Sequence, residues 1–293
     1  MMWVFLLALT KTSIEWHYFG LIPFKALFLL KFPDKRMSYA TTEITSAEIV
    51  SDNPVHQRLY FPYEEAAKVI SGKVLELGCG WGRGVEKLIS ASEHYTGLDK
   101  NEGLIKALQE KYPEHYFNTA DFPDLSEFDN NTFDFVVTFQ VIEHIQNDHK
   151  FLEEANRVLK PGGKIILTTV NKTYSLSRNP WHVREYKTKE LRDLMAKYFK
   201  TVDTMGVGGN EKVWKYYEEN KVSVNETMKW DVLNLQHRLP AWMLRIPYEF
   251  MNRRNREKLM NVTGGLAAEI NWDDHFLCVE PDKCIDFYFV GTK

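Results

Sequence analysis

The sequence is short of the features that would send a protein outside the cell, through a membrane or onto nucleic acid. Its 293 residues hold three cysteines, Cys79, Cys278 and Cys284. They form no Cys-x-x-Cys pair and no metal-ligand spacing, which argues against a disulfide scaffold and predicts a reducing, cytoplasmic setting. No apolar run reaches the roughly 20 residues that a spanning helix needs. The opening MWVFLLALT is soon interrupted by Lys11, Glu15 and His17, and Gly20–Phe32 contains Pro23 and Lys25. Neither stretch carries the basic start and small-residue cleavage site of a signal peptide. Residues 1–36 therefore read as a start-site artefact or a disordered lead, and membrane association is open only through them. An excess of either charge is also missing. With 37 basic and 40 acidic residues the net charge is −3, so no generic grip on nucleic acid is expected. There is no internal repeat and no low-complexity tract.

What is present is an alternation. Hydrophobic residues make up 44% and charged residues 26%, enough for one large α/β domain with an insertion. Lys73–Leu77 (KVLEL), His94–Asp99 (HYTGLD), His115–Asn118, Phe133–Phe139 (FDFVVTF), Lys164–Val170 (KIILTTV) and Thr201–Val207 read as strands. Phe133–Phe139 is nearly all apolar and so central. Between them Gly84–Ser92, Glu102–Tyr112, Asp148–Leu159 and Thr188–Phe199 read as helices, with Asn101 as an N-cap. Strands alternating with helices predict a doubly wound, Rossmann-like sheet. Asp286–Gly291 (DFYFVG) is one further strand. The 75 or so residues before it are too long for a plain loop in a compact fold. The expected division is an N-terminal helical segment at 37–72, a core at 73–207 and 284–293, and a mostly helical lid at 208–283.

The first strand ends in an unusual turn. VLELGCGWGRG places Gly78, Gly80, Gly82 and Gly84 at alternate positions. Glycines there permit a tight turn and let backbone N–H groups approach a ligand with no Cβ in the way. The dinucleotide fingerprint needs a third glycine at position 83, where the chain has Arg83. Glu76, two residues before the turn, suits a cationic amino group better than a pyrophosphate. Asp99 ends the second strand and can accept hydrogen bonds from ribose hydroxyls. Asp121 and Phe122 follow the third and could hold a purine by its exocyclic amine and its face.

Five segments in this order, E-L-G-C-G-x-G, the aspartate ending strand two, A-D-F, F-D-F-V-V and L-K-P-G-G, resemble the class I S-adenosylmethionine-dependent methyltransferases over roughly Val74–Val170. The resemblance implies a seven-stranded sheet whose last strand is antiparallel, with S-adenosyl-L-methionine as cofactor. The implied cofactor-binding set is Glu76, Gly78, Cys79, Gly80, Asp99, Lys100, Asp121, Phe122 and Gln140. Cys79 would contribute its N–H rather than its thiol.

The cofactor's sulfonium is already activated, so methyl transfer needs mainly placement of the nucleophile, and a hydroxyl acceptor would gain from a general base. Phe139–His144 follows strand four at the ligand edge. Its Glu143-His144 pair resembles that of ubiquinone-type O-methyltransferases, where an acidic residue three places earlier joins it near a divalent metal. Here that place is Gln140, a neutral amide, so no metal is expected. The segment from Asn179 to Tyr186 adds His182 and Tyr186 as substrate neighbours and an Arg184–Glu185 ion pair. The catalytic candidates are His144, Glu143 and His182. Arg58 and Tyr60 could lie across the cofactor carboxylate. Trp214, Trp230, Trp242 and Met251 would form lid core or an apolar pocket, and Arg253–Arg256 a solvated helix face.

The expected function is methyl transfer to a small-molecule acceptor, at oxygen rather than carbon or nitrogen. A non-catalytic methyltransferase-like module that binds cofactor or a partner is the alternative, and an NAD-dependent oxidoreductase is disfavoured by Arg83. Nucleic-acid methylation is disfavoured because FQVIEH replaces the Asn/Asp-Pro-Pro-aromatic signature after strand four.

Overall fold

The computed structural model describes Thr45, residues 49–263 and residues 265–293; the expectations for residues 1–36 lie outside them. The strands are β1 (Lys73–Leu77), β2 (His94–Asp99), β3 (Tyr116–Thr119), β4 (Phe133–Phe139), β5 (Leu159–Val170), β6 (Thr201–Gly209), β7 (His275–Cys278) and β8 (Asp286–Thr292). They form one sheet in the order β3-β2-β1-β4-β5-β8-β6-β7. β1 to β5 pair in parallel, and β8 enters antiparallel between β5 and β6. The helices are α1 (Asn53–Ala67), α2 (Val85–Ala91), α3 (Glu102–Lys111), α4 (Asp148–Val158), α5 (Thr188–Met195), α6 (Glu211–Met228), α7 (Leu235–Arg238), α8 (Ala241–Val262) and α9 (Leu266–Glu269).

The doubly wound α/β sheet is as the alternation predicts, with one correction. The sheet has eight strands rather than seven, because β7 pairs antiparallel with β6 through Gly206–Gly209. That strand lies inside the stretch expected to be mostly helical.

Strand period explains the two cores. Consecutive residues of a strand point to opposite faces, and Leu75, Val136, Ile165 and Phe287 join α4 and α5 residues on one side. Their neighbours Val74, Val137, Ile166 and Tyr288 join α1, α2 and α3 residues on the other. All eight are at most 2% exposed, so each contributes roughly 1.5–3 kcal/mol by burial. A third cluster, Val213, Tyr216, Tyr217, Leu259, Ala267, Ile270 and Ile285, binds α6, α8 and α9 together beside the sheet. Asn101 caps α3 by accepting from the N–H groups of Gly103 and Leu104, and Asn210 caps α6 in the same way.

The basic run on α8 is solvated only at Arg254. Arg253 and Arg256 converge on Asp52, just before α1, at 2.7 and 2.9 Å, and the Asp52 side chain is fully buried. Trp214 packs on Tyr174 and Tyr217, but Trp230, Trp242 and Met251 are exposed and form neither lid core nor pocket. Among the described residues no helix is long and apolar enough to cross a membrane.

Candidate functional site

Parallel strands bring the carboxyl ends of β1, β2, β4 and β5 to one edge of the sheet. Because β8 runs the other way, its first residue, Asp286, arrives at that same edge, opposite Val170.

At the end of β1 the backbone turns through Gly78 (φ +86°) and Gly80 (φ +54°), a region that favours glycine. A Cβ on Gly78 would lie 2.3 Å from Val141 Cγ2, whereas one on Gly80 would meet nothing within 4 Å. Gly80 thus keeps open a space that a side chain would fill. The turn's N–H groups, expected to face a ligand, are instead spent within the protein. Those of Gly78 and Cys79 donate to the Leu98 carbonyl at 2.7 and 3.0 Å, and that of Gly80 donates to Asp99 Oδ2 at 2.9 Å. Asp99 Oδ1 accepts from Asn101 N–H at 2.9 Å. A carboxylate has about four acceptor sites, so Asp99 retains capacity for sugar hydroxyls.

Glu76 is fully buried and faces no open space. Tyr63 donates to its Oε1 at 2.7 Å and Tyr95 to its Oε2. Burial raises its carboxyl to about 7 against these hydrogen bonds. Each oxygen of Glu76 thus accepts one hydrogen bond from a tyrosine of the protein itself. The Cys79 thiol is buried and pushed well up by that burial. Lys100 and Asp121 are exposed. Asp121 and Phe122 line an open hollow with Lys150, Glu154 and Arg157, and Phe122 packs edge-on against Phe151.

Beyond β4 and β5 lies a cavity of about 260 Å³. Gln140, in the left-handed region at φ +57°, lines it together with Glu143, His144, His182 and Glu185. Arg58 and Asp286 enter from α1 and β8, and Tyr216, Tyr217, Tyr248, Asn252, Asn255 and Arg256 close it from α6 and α8.

The charged groups of this cavity are tightly organised. Glu143 is 1% exposed; its Oε2 accepts from Thr169 Oγ1 at 2.8 Å, and its Oε1 has no hydrogen-bond partner among the described residues. His144 Nδ1 lies 3.0 Å from the Trp181 carbonyl, which places a proton on Nδ1. His182 places Nδ1 2.8 Å from Glu185 Oε1 and Nε2 2.8 Å from Asn179 Nδ2. Both its nitrogens are therefore engaged. The two imidazoles meet edge-to-face, 4.9 Å between centroids. Glu143, His144 and His182 bring one ligand-type atom each within 4.8 Å of one another, a grouping that the sequence spacing alone does not suggest.

Two expectations are corrected here. Tyr186 is buried and donates to Asp148 Oδ2 at 2.7 Å, away from the cavity. Arg184 pairs with Asp148 and Glu185 with His182, not with each other. Tyr60 donates to Glu64, and Arg58 reaches Asp286.

Asp286 is the residue that sequence reasoning missed. It is 2% exposed, its Oδ1 has no hydrogen-bond partner among the described residues, and burial raises its carboxyl to about 6 against the opposing pull of Arg58. The available signal was an acidic residue opening an otherwise apolar strand.

Comparison with known proteins agrees with this geometry. Residues 75–167 match the family model described as a methyltransferase domain. The chain is 34% identical over 188 residues to a "Probable S-adenosylmethionine-dependent methyltransferase" of Mycolicibacterium smegmatis, covering 60% of this chain and 72% of that protein. It is 35% identical over 105 residues to a ubiquinone biosynthesis O-methyltransferase of Maricaulis maris, covering 34% of this chain and 41% of that one. The match to a similarly named protein of Mycobacterium tuberculosis is 31% identical and takes in 53% of this chain and 58% of that one. In fold, the chain is similar to a crystal structure from Thermotoga maritima, an S-adenosylmethionine-dependent methyltransferase described as a "possible histamine N-methyltransferase". The TM-score is 0.52 at 17% identity, over 82% of this chain and 91% of that one.

Proposed function

Because this chain belongs to the S-adenosylmethionine-dependent methyltransferases, a family whose cofactor is S-adenosyl-L-methionine, we propose that it methylates a small-molecule acceptor at oxygen in the Gln140–Asp286 cavity. The observation that carries this reading is Glu143 Oε1, a buried carboxylate oxygen without a partner among the described residues, next to His144. A buried acceptor left unsatisfied is costly, and an acceptor hydroxyl would supply the missing donor. Oxygen nucleophiles gain from losing a proton during transfer, whereas the cofactor itself needs no activation.

The open space at Gly80 and the spare acceptor capacity of Asp99 fit the cofactor's sugar, and Gln140 joins that cradle to the cavity. Bound there, the cofactor would supply an electrophilic methyl group. The protein's share is to fix the acceptor, exclude water and receive its proton. In this reading the acceptor hydroxyl donates to Glu143 Oε1, the Glu143–His144 pair draws off its proton as the methyl bond forms, and His182, braced by Glu185 and Asn179, holds the His144 ring edge. The reading is of a metal-independent reaction: the nitrogens of His182 already serve Glu185 and Asn179. It is also of a cytoplasmic enzyme without nucleic-acid partners, in keeping with three unbridged thiols.

The test is incubation of purified protein with methyl-labelled S-adenosylmethionine and fractionated cell extract, followed by identification of the labelled bond. Label in a methyl ether or ester of a small molecule supports the proposal; label only in N-methyl or C-methyl products refutes the oxygen assignment. With the acceptor in hand, His144→Ala should lower kcat by roughly 10²-fold or more while cofactor affinity holds.

A further inference from the structure

The helix that closes the acceptor cavity has a second, bare face. Tyr248, Asn252, Asn255 and Arg256 of α8 line the cavity. Trp242, Ile246 and Phe250 follow one another at i, i+4 and i+8 on a different side, so they form one stripe. They are 69%, 79% and 63% exposed. The segment leading into α8 adds Trp230, Val232 and Leu233, all exposed. Single apolar side chains on a surface need no explanation, but a stripe of this size marks an interaction surface.

Charge decides what the surface meets. Lys229, Arg238 and Arg254 are exposed along the same stretch. Of its acids, Asp231 accepts from the N–H groups of Leu235 and Gln236 and Glu249 from Trp181 Nε1 at 2.8 Å, while Glu257, further along α8, is exposed and outnumbered by the three cations. The outward face is therefore cationic and apolar in a chain whose net charge is −3. A second copy packed on the same face across a two-fold axis would set like charges against each other. Residues 1–36 are a poor complement as well, with five basic residues against two acidic ones. An anionic partner with an apolar interior fits both features.

We infer that the outward face of α8 and the turn before it lie on an anionic phospholipid surface, with the tryptophans, Ile246 and Phe250 in the headgroup layer and the cations on the phosphates. This is the pattern of a helix that lies in a membrane interface rather than across it. It sets the cavity, on another side of the same helix, beside the headgroup plane. The inference is independent of the methyl-transfer reading, since it concerns only where the molecule sits.

The experiment is co-sedimentation of the full chain with vesicles of phosphatidylcholine, alone or with about one third phosphatidylglycerol. Two variants are compared: Trp242→Ser/Ile246→Ser/Phe250→Ser, and Arg238→Glu/Arg254→Glu. Wild type is expected to sediment with the anionic vesicles, at least tenfold more than with neutral ones, and to be released by high salt. Each variant should bind at least tenfold more weakly, with thermal midpoint and calorimetric affinity for S-adenosylmethionine as in wild type. Cofactor binding thus reports separately on the functional reading. Wild type remaining in the supernatant overturns the inference. So does undiminished sedimentation of the apolar variant, which would assign vesicle binding to residues 1–36. Loss in that variant of a concentration-dependent dimer, with no vesicle binding by wild type, would identify a second copy as the occupant instead.

Discussion

Arg58 Nε stands 3.1 Å from Asp286 Oδ2, tying the helix before the sheet to the first residue of the strand inserted between β5 and β6. Both residues line the 260 Å³ cavity, and one partner is almost fully desolvated: Asp286 is 2% exposed, whereas the Arg58 side chain is 23% exposed. Burial raises Asp286 to about 6, and Arg58 opposes that rise.

Replacing Arg58 should therefore raise Asp286 further. A carboxyl whose folded-state value lies above its unfolded one adds stability below about 4, which is lost as pH rises through the folded value. Wild type should lose this contribution between about pH 4 and 6. In Arg58→Met the loss should extend to higher pH, with a cost of about 1–3 kcal/mol at pH 7, kept low by the partial exposure of Arg58. Thermal midpoints measured from pH 5 to 8 test this, and Asp286→Asn in the same background should remove the added pH dependence. Parallel curves for Arg58→Met and wild type would mean that the pair is not coupled.

Gly80 and Gly162 share a positive φ and have nothing within 4 Å of an added Cβ. Gly80→Ala and Gly162→Ala should thus cost similar backbone strain, about 1–2 kcal/mol. Only Gly80→Ala should weaken binding of S-adenosylmethionine, by roughly tenfold or more for a misfit of about 1.4 kcal/mol or above. Isothermal calorimetry separates the two effects; equal affinities in both variants would remove Gly80 from the cradle.

Glu76 carries a second pH signature. Its carboxyl is raised by burial from 4.5 to about 7, so its contribution is present below pH 4.5 and lost as pH rises toward 7. The full swing is on the order of 3 kcal/mol. Glu76→Gln, which cannot ionise, should be less sensitive to pH in that window. His56 and His275, both lowered by burial to about 4, act in the opposite direction in both proteins, so the difference between variant and wild-type melting curves isolates Glu76. A difference that stays constant from pH 5 to 8 would contradict the assignment.

Asp52 holds two arginines of α8 with a fully buried carboxylate. Asp52→Ala leaves Arg256, 8% exposed, without this counter-charge and should cost about 3–5 kcal/mol if the structure stays rigid. A smaller loss with faster proteolytic cleavage within α8 is expected if the helix lifts instead. Limited proteolysis alongside calorimetry distinguishes the two, and a variant unchanged in both would show that α8 does not depend on Asp52.

The strands β1, β2 and β4 were legible to the residue because each is a short apolar run stopped by glycine or a polar turn, and the alternation with amphipathic helices gave the doubly wound order. β7 escaped because a four-residue HFLC run inside a long helical stretch has no period of its own; it is a strand only because β6 offers an edge. The cradle was legible in place but not in detail. The glycines announce a turn, yet nothing local says that its N–H groups bond to Leu98 and Asp99, since that depends on the β1–β2 register. Glu143 and His144 were found from their position after β4. Asp286 was not, because its arrival at the site depends on one strand running against its neighbours. The Arg253 and Arg256 contacts with Asp52 join residues about 200 apart in sequence, and no periodicity reports on such a pair.

The placement of β8 also bears on how the molecule assembles. Asn171, at the end of β5, donates to the carbonyl of Cys284, 113 residues further on, and α6 to α9 all lie between. The gap between β5 and β6 closes only when a loop of that length has been drawn together, a step whose entropy is spent before the contacts that reward it form. Until then both halves of the sheet present open edges to other chains. Substitutions that disturb α6–α9 should accordingly slow refolding and raise aggregation in dilution experiments more than they lower the final equilibrium stability.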